Sequence, residues 1–312
     1  MRRNVCCSLL FLGVVLAARA QPGPARPNQP KTSTKGGQPA KPRQARPKYL
    51  TVAFDLNQTN LGVNFAGHDI TAVVQAIDDS PALQEKSEFE TSAAYSARQG
   101  GFIDHSLFGS VKPTDRLAFV VEGSLSHRPS FEYNADSRMW VLSLMDKTNA
   151  TVGSDEPPMD RILIRTTVTD RDSYIGTNAF GASMKVDRTY SEDFGVAFAP
   201  DMWVFASRGL SRMFKHRLAM GPEEAREFKP DAQLLFVCHL IQPWMGYSVS
   251  GHDPTFSQPH ETLVGESYLQ VVPEELWVFN SRTGEVIQKY SSSLGRDDLP
   301  TFSLPQVIQE FQ

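Results

Sequence analysis

Three histidines and one aspartate have side chains that could form a catalytic or metal-binding site. The tripeptide Gly-His-Asp occurs twice, at 67–69 and 251–253, and a further histidine follows the second copy. If the two copies met in the fold, they could form a histidine–carboxylate site. Local roles also explain both copies, because Asp69 can cap a helix and Asp253 precedes a proline in a turn. The candidate site residues, which could converge only in three dimensions, are His68, His252, Asp253 and His260.

Cys238 and His239 are adjacent in the sequence, and thiolate and imidazole are both ligands for zinc. The spacings of a compact closed site, C-x-x-C or H-x-x-x-H, do not occur around them. Neighbouring residues of a strand point to opposite faces, so one metal ion could not bind both. We interpret Cys238 as a small buried residue and His239 as a hydrogen-bonded core histidine. The sequence thus predicts no metal site and no cofactor.

Other catalytic patterns fail in their context. Gly246–Ser250 resembles the G-x-S-x-G elbow of serine hydrolases, but a turn follows it where the elbow needs a helix. Asp170–Asp172 offers two carboxylates, but the residues after it break the spacing of a calcium-binding loop. Neither glycine-rich phosphate-binding motif is present in the sequence. We therefore assign no catalytic residue.

The elements that must position these residues are mostly strands. Short β-branched or aromatic runs, separated by Gly, Pro, Asn and Asp, predict an α+β domain that is rich in antiparallel β-sheet and has a few short helices. The alternating stretch Asp160–Arg188 predicts a strand, a glycine-containing turn and a return strand. We expect this hairpin at the centre of the sheet, with Phe180 plugging the core beneath its turn.

Capping residues predict the helices. Asp69 caps a helix that continues to about Ile77, and Pro222 opens another helix with acidic residues in its first turn. Ser80-Pro81 predicts the start of one or two short helices that close at Gly100.

Two further strand predictions come from the C-terminal half. The run 233–241 is apolar on both faces apart from one histidine, which predicts a central strand covered on both sides. Leu276–Phe279 and Val286–Tyr290 predict a hairpin across a turn that contains Gly284.

The N-terminus has the three parts of an export signal. A basic start, an apolar run and a small-x-small site predict a signal peptide at residues 1–20, with cleavage between Ala20 and Gln21. The apolar run is shorter than the about 20 residues of a transmembrane helix. We expect a soluble periplasmic or secreted protein with no transmembrane segment. Cys238 is the only cysteine after the signal, so no internal disulfide is expected.

Charge separates a basic tail from an acidic body. Residues 21–48 contain seven basic residues, seven prolines and no acidic residue, which predicts a disordered linker. Residues 49–312 carry a formal net charge of about −14. This body is either one domain or two subdomains with a break near 200–222. The tail is either a plain spacer or a tether to an unknown protein or an anionic envelope polymer. It lacks aromatic residues, so stacking on nucleic acid is not expected.

Three segments carry a resemblance to known sequences. They are Glu88–Thr91 followed by Tyr95 and Arg98, Tyr133–Asp136, and Gly176–Gly181. This pattern resembles that of uncharacterised exported bacterial proteins. The resemblance implies a bacterial envelope location and no known activity. Under that reading the sequons at Asn57 and Asn149 are ordinary loop residues, whereas a source cell that glycosylates secreted proteins would modify them.

The failed catalytic patterns favour a non-catalytic function. We expect an exported envelope or secreted module that binds a partner or assists assembly. The alternative is a hydrolase or metal-dependent enzyme that uses His68, His252, Asp253 and His260.

Overall fold

The structure is a computed structural model, and it describes residues 49–122, 129–145, 159–177, 180–199, 202 and 213–292. The described helices are α1 (Ile70–Asp78), α2 (Ser92–Gly100) and α3 (Pro222–Phe228). Short 3-10 turns follow α2 and α3, at Gly101–Asp104 and Lys229–Asp231. The described strands are β1 (Arg116–Val120), β2 (Ser130–Asn134), β3 (Met139–Met145), β4 (Asp160–Thr177), β5 (Ser183–Phe198), β6 (Met213–Ala219), β7 (Ala232–His252), β8 (His260–Asn280) and β9 (Val286–Ser291). The predicted α+β class is confirmed.

Two sheets form the fold. The larger sheet has the order β1-β7-β8-β5-β4, and β9 adds a sixth strand by pairing with Glu275–Phe279 of β8. The smaller sheet has the order β2-β3-β6 and is antiparallel throughout. In the larger sheet all pairs are antiparallel except β5 and β8, which run parallel. This parallel pair joins the two long hairpins β4–β5 and β7–β8 into one sheet.

The hairpin at Asp160–Arg188 exists, but its predicted place in the sheet is wrong. β4 lies at the edge of the larger sheet, and β8 occupies the centre with three partners. Phe180 is 94% exposed and does not plug the core. The reason is length, because β4 and β5 run on beyond the buried part of the sheet and carry their turn into solvent. Gly181 has a φ of 80°, which fits its predicted role in the turn.

Apolar layers cover both faces of the sheet's body. On the face that we call the front, Phe194, Val196 and Phe198 of β5 join a core with α1, α3 and the smaller sheet. On the back, Leu235 and Val237 of β7 pack with the N-terminal segment that starts at Leu50. The alternation along β7 therefore buries both of its faces, as predicted for 233–241. Each fully buried aliphatic or aromatic side chain contributes about 1.5–3 kcal/mol to the free energy of unfolding.

The capping residues predicted α1 and α3 correctly, but the helix predicted to begin at Ser80-Pro81 is absent between residues 80 and 91. The Asp69 carboxylate accepts a hydrogen bond from the Thr71 amide and caps α1. Pro222 opens α3. The chain after Ser80-Pro81 forms turns, and α2 begins only at Ser92. The Arg98 guanidinium donates to the carbonyl oxygens of Pro81 and Gln84 and so holds this segment in a loop.

Several expectations concern residues outside the described ranges. The signal peptide with its cleavage between Ala20 and Gln21, the linker 21–48 and Asn149 lie there. The proposed break near 200–222 falls mostly outside them as well and stays a prediction. Among the described helices, none is both long and apolar enough to cross a membrane.

Candidate functional site

The two long hairpins extend past the core as a four-stranded arm. We define the arm as 167–177 of β4, 183–192 of β5, 247–252 of β7 and 260–265 of β8. Adjacent strands are paired along this length, so the arm is a continuous sheet. Most of its residues are exposed or half-buried, and Val186 is the buried exception. A sheet of this length with both faces accessible offers two surfaces for a partner.

Exposed apolar side chains concentrate on the arm and its turns. Of the large apolar residues that the structure describes as exposed, all except Val52, Val63 and Phe89 lie there. They are Val168, Tyr174, Ile175, Phe180, Tyr247, Val249, Phe256 and Leu263. Scattered exposed apolar residues are normal, but a cluster on one element marks an interaction surface.

The pairing register of the four strands places four of these exposed residues, together with Tyr190, in one band on the front of the arm. Tyr190 of β5 pairs with Leu263 of β8, and it lies four residues from the front-face residue Phe194. Val186 pairs with Tyr174, and Glu192 is next to Gly265, which pairs with Val249. Because side chains alternate between faces, these positions share the front. We call this set the front band: Tyr174, Tyr190, Leu263, Val249 and Tyr247.

An arginine organises the outer end of the front band. The Arg188 guanidinium forms a bidentate ion pair with Asp172, at 2.9 and 2.7 Å. Its carbon lies 5.0 Å from the centroid of the Tyr174 ring and 5.1 Å from that of Tyr190. The Tyr174 hydroxyl donates to Glu261 at 2.7 Å, and this hydrogen bond raises the pKa of Tyr174. Both rings are therefore held in place before any partner arrives.

The inner end of the front band opens into a groove beside α1. Two cavities of about 540 and 450 Å³ adjoin there and share Asp78 and Tyr247 in their walls. The Tyr247 hydroxyl donates to the Asp78 carboxylate at 2.7 Å. Partial burial and this hydrogen bond raise the pKa of Tyr247 to about 12. The floor is apolar, with Val74 of α1, Trp244 and Met245 among the residues lining it.

The rim of the groove is acidic. Asp78, Glu85 and Glu192 line the two cavities, and none of the described lining residues is a lysine or an arginine. Asp170 pairs with Tyr190 and Glu261 pairs with Arg188, so both acidic residues also lie on the front of the arm. A partner for this surface must therefore supply positive charge as well as apolar contact.

A buried polar network lies on the back of the sheet where the arm leaves the body. The Glu266 carboxylate, 5% exposed, accepts hydrogen bonds from Ser248 at 2.8 Å and from Ser250 at 2.7 Å. The Arg161 guanidinium lies 4.7 Å from the centroid of the Tyr268 ring. Burial, with the nearby Glu266 charge, raises the pKa of Tyr268. These groups join β4, β7 and β8, so the network fixes the arm to the body.

The structure separates His68 from the other candidate site residues. His68 is 2% exposed, and its ring bonds the amide of Ala118 and the carbonyl of Val52. Burial lowers the pKa of His68. Ala118 pairs with Val237, and His252 lies at the far end of the same strand, β7. At about 3.3 Å per residue the 15 residues from Val237 to His252 span on the order of 50 Å, too far for direct contact. His68 has a structural role.

The remaining candidates meet only at an exposed hairpin end. His252 pairs with Thr262, and His260 lies two residues before Thr262 on the same back face. Asp253 follows His252 directly and is exposed. Within the residues that the structure describes, no three His, Cys, Asp or Glu side chains are placed to hold a metal ion.

Cys238 and His239 point to opposite faces, as predicted. Cys238 is fully buried, and burial raises the pKa of its thiol. His239 is hydrogen-bonded, as expected, but it is half-buried rather than in the core, with Nε2 at 3.2 Å from Glu274. Arg116 pairs with the same carboxylate. Burial opposes ionisation of Glu274, but hydrogen bonds from His239 and Arg116 outweigh it and lower the pKa of Glu274 to about 2.

Comparison with protein-family models, with curated proteins and with solved structures gave no match. The function therefore has to be argued from the site itself. Sequence reasoning missed the front band, because its members come from four strands. The one local signal is the alternation of Tyr247 and Val249, in the same segment that resembles a serine-nucleophile elbow.

Proposed function

We propose that this chain is an exported, non-catalytic module that binds a partner through the front band of its arm and helps to assemble it. The observation that supports this most strongly is the concentration of exposed apolar residues on a preordered sheet. Tyrosine and arginine are the residue types that dominate protein interfaces, and Tyr174, Arg188 and Tyr190 are already fixed by their own contacts. A preordered surface loses less conformational entropy on binding.

The sequence features that predict export support the same proposal. The N-terminal signal pattern favours export to a periplasm or to the medium, and the resemblance to exported bacterial proteins favours an envelope address. Residues 21–48 offer a second contact, since their seven positive charges suit an unknown protein or an anionic envelope polymer. Binding of purified mature protein to anionic envelope material should fall with salt and on deletion of 21–48. Unchanged binding would remove the tether from the proposal.

A matched pair of triple variants tests the arm. Tyr174→Ser, Val249→Ser and Leu263→Ser remove exposed apolar groups from the front band. Val52→Ser, Val63→Ser and Phe89→Ser do the same elsewhere on the body, at residues that are equally exposed or more so. We expect the control to keep the wild-type elution volume of the native complex from mild extracts, and the front-band variant to elute as free chain. Both variants should melt within a few degrees of wild type.

The outcome that contradicts the proposal is a front-band variant that stays in the complex. Loss of the complex in both triple variants would also contradict it, because the arm would then have no special part. The enzyme alternative has no specific structural observation in its favour, since it rests on His252, Asp253 and His260 at an exposed turn.

A further inference from the structure

The groove beside α1 is acidic, whereas the N-terminal segment 21–48 is basic and rich in proline. Asp78, Glu85 and Glu192 stand at the rim, and none of the described residues that line the two cavities is a lysine or an arginine. Residues 21–48 carry seven basic residues, seven prolines and no acid. Proline-rich segments bind in grooves that present aromatic side chains, and this groove presents Tyr247, with the largely buried Trp244 in its wall.

We propose that residues 21–48 of one copy bind the groove of a second copy, and that two copies exchange these segments reciprocally. The inference rests on the proposed function in one respect, since it takes the inner end of the front band as a binding surface. Reciprocal exchange uses each groove and each segment once, so the assembly closes as a pair with two-fold symmetry.

The place where the described chain begins fits an exchange of this kind. The Tyr49 ring lies under the Arg165 guanidinium, 5.4 Å from its carbon, and Arg165 also pairs with Asp69 at the start of α1. The groove runs along the same helix, from Thr71 to Asp78. The Tyr49 ring therefore lies on the same side as α1, although the next residue, Leu50, packs on the back. Residues 21–48 span about 85 Å at about 3.1 Å per residue, which is ample to reach a facing copy.

The size of the groove fits several residues of an extended peptide. The two adjoining cavities of about 540 and 450 Å³ have the volume of small-ligand sites and lie beside α1. Prolines can lie on Met245 and Tyr247 while lysine or arginine side chains reach the rim. Ion pairs at an exposed rim are weakened by salt, so the pair of copies should dissociate at high ionic strength.

Three full-length mature proteins test the exchange. The groove variant carries Asp78→Asn, Glu85→Gln and Glu192→Gln. Its control carries Glu132→Gln, Glu224→Gln and Glu227→Gln, which change the net charge equally at exposed positions of β2 and α3. The tail variant replaces the seven basic residues of 21–48 by glutamine. Sedimentation velocity over a range of concentrations measures the mass of each.

We expect wild type and control to double in mass as concentration rises, and 0.5 M salt to reverse this. The groove variant and the tail variant should each dimerise at least about tenfold more weakly. A mixture of the two should form a heterodimer that is weaker than the wild-type pair but stronger than either variant alone, since it keeps one of the two groove–segment contacts. Recovery in the mixture is the result that only exchange between copies produces.

Three results would overturn the proposal. They are a wild-type chain that stays monomeric at every concentration, a groove variant that dimerises like its control, and a mixture that stays monomeric. The third result, with binding of the tail to anionic polymer intact, assigns the tail to the polymer alone. The front-band serine variants separate this failure from a failure of the proposed function, because they report on partner binding by the arm whatever the mass of the chain.

Discussion

Replacement of Glu274 by glutamine should remove a pH-dependent part of the stability. Glu274 sits on β8, where its carboxylate pairs with Arg116 of β1 and His239 of β7. Burial alone would favour the neutral acid, but the two hydrogen-bond donors lower the pKa to about 2 from an ordinary 4.5. The folded pKa is therefore lower than the unfolded one. The stabilisation is present in full above pH of about 4.5 and is lost as the pH falls toward 2.

The magnitude follows from the size of this shift. A difference of about 2.5 pKa units at about 1.36 kcal/mol each sets a ceiling of about 3.4 kcal/mol. Solvent screens the partly exposed ion pairs of Glu274 with Arg116 and His239. We therefore expect Glu274 to contribute about 1–3 kcal/mol to the free energy of unfolding at pH 7. Glutamine keeps the shape of the side chain but has no charge to lose. The difference in free energy of unfolding between wild type and Glu274→Gln should therefore shrink toward zero near pH 2.

Urea unfolding at pH 7, 5, 4, 3 and 2 measures this difference for wild type, Glu274→Gln and the exposed control Glu132→Gln. The control should follow wild type at every pH. Curves for Glu274→Gln that run parallel to wild type from pH 5 to 2 would refute the reasoning, because the carboxylate would then have the same pKa in the folded and unfolded states.

Three further predictions concern packing and exposure. Gly195→Ala should lower the free energy of unfolding by about 2–4 kcal/mol, since a Cβ there would lie 2.6 Å from a backbone carbonyl oxygen and from a tyrosine ring. Gly265→Ala is the control, because a Cβ there meets nothing within 4 Å. In thermal melts the control should be nearly neutral. The Cys238 thiol should react with a thiol reagent only on unfolding, because burial raises its pKa; rapid reaction of native protein would contradict its position. In an alkaline absorbance titration, the Tyr247→Phe variant should lack one tyrosine that ionises near pH 12 in the wild type. If the variant instead lacks a tyrosine that ionises near pH 10, the hydrogen bond from Tyr247 to Asp78 does not form.

Sequence reasoning succeeded where the determinant is local. Asp69 caps α1 as predicted because an N-cap acts on an amide two residues away. The β8–β9 hairpin formed around Gly284, whose φ of 78° suits a tight turn. The strand 233–241 was found because burial on both faces makes its sequence apolar throughout.

The errors concern features that depend on distant parts of the chain. Nothing local to Asp160–Thr177 indicates that β4 lies at the edge, because strand order depends on the pairing of β5 with β8. Phe180 looked like a core residue by its type, although its turn lies beyond the covering layers. The hydrogen bonds of His68 to Val52 and Ala118 likewise join segments far apart in the sequence, so its buried position was not evident from its residue type.

The candidate site was the least predictable part of the molecule. The front band takes one or two residues from each of four strands, so no window of sequence contains it. Its charged rim was visible only as the acidic excess of residues 49–312. The tail was visible as a composition, and its match to the groove required the position of Asp78, Glu85 and Glu192 on one face.

Site-specific photo-crosslinking tests the central claim most directly. A photoreactive residue is placed at Val249 in the front band, and another at Val63 on the body; these side chains are 81% and 66% exposed. The proteins are produced in the source cell and irradiated in their own compartment. A binding module that uses its arm should give discrete adducts at Val249 and few at Val63. Equal yields at the two positions, or adducts at Val63 alone, would contradict the account.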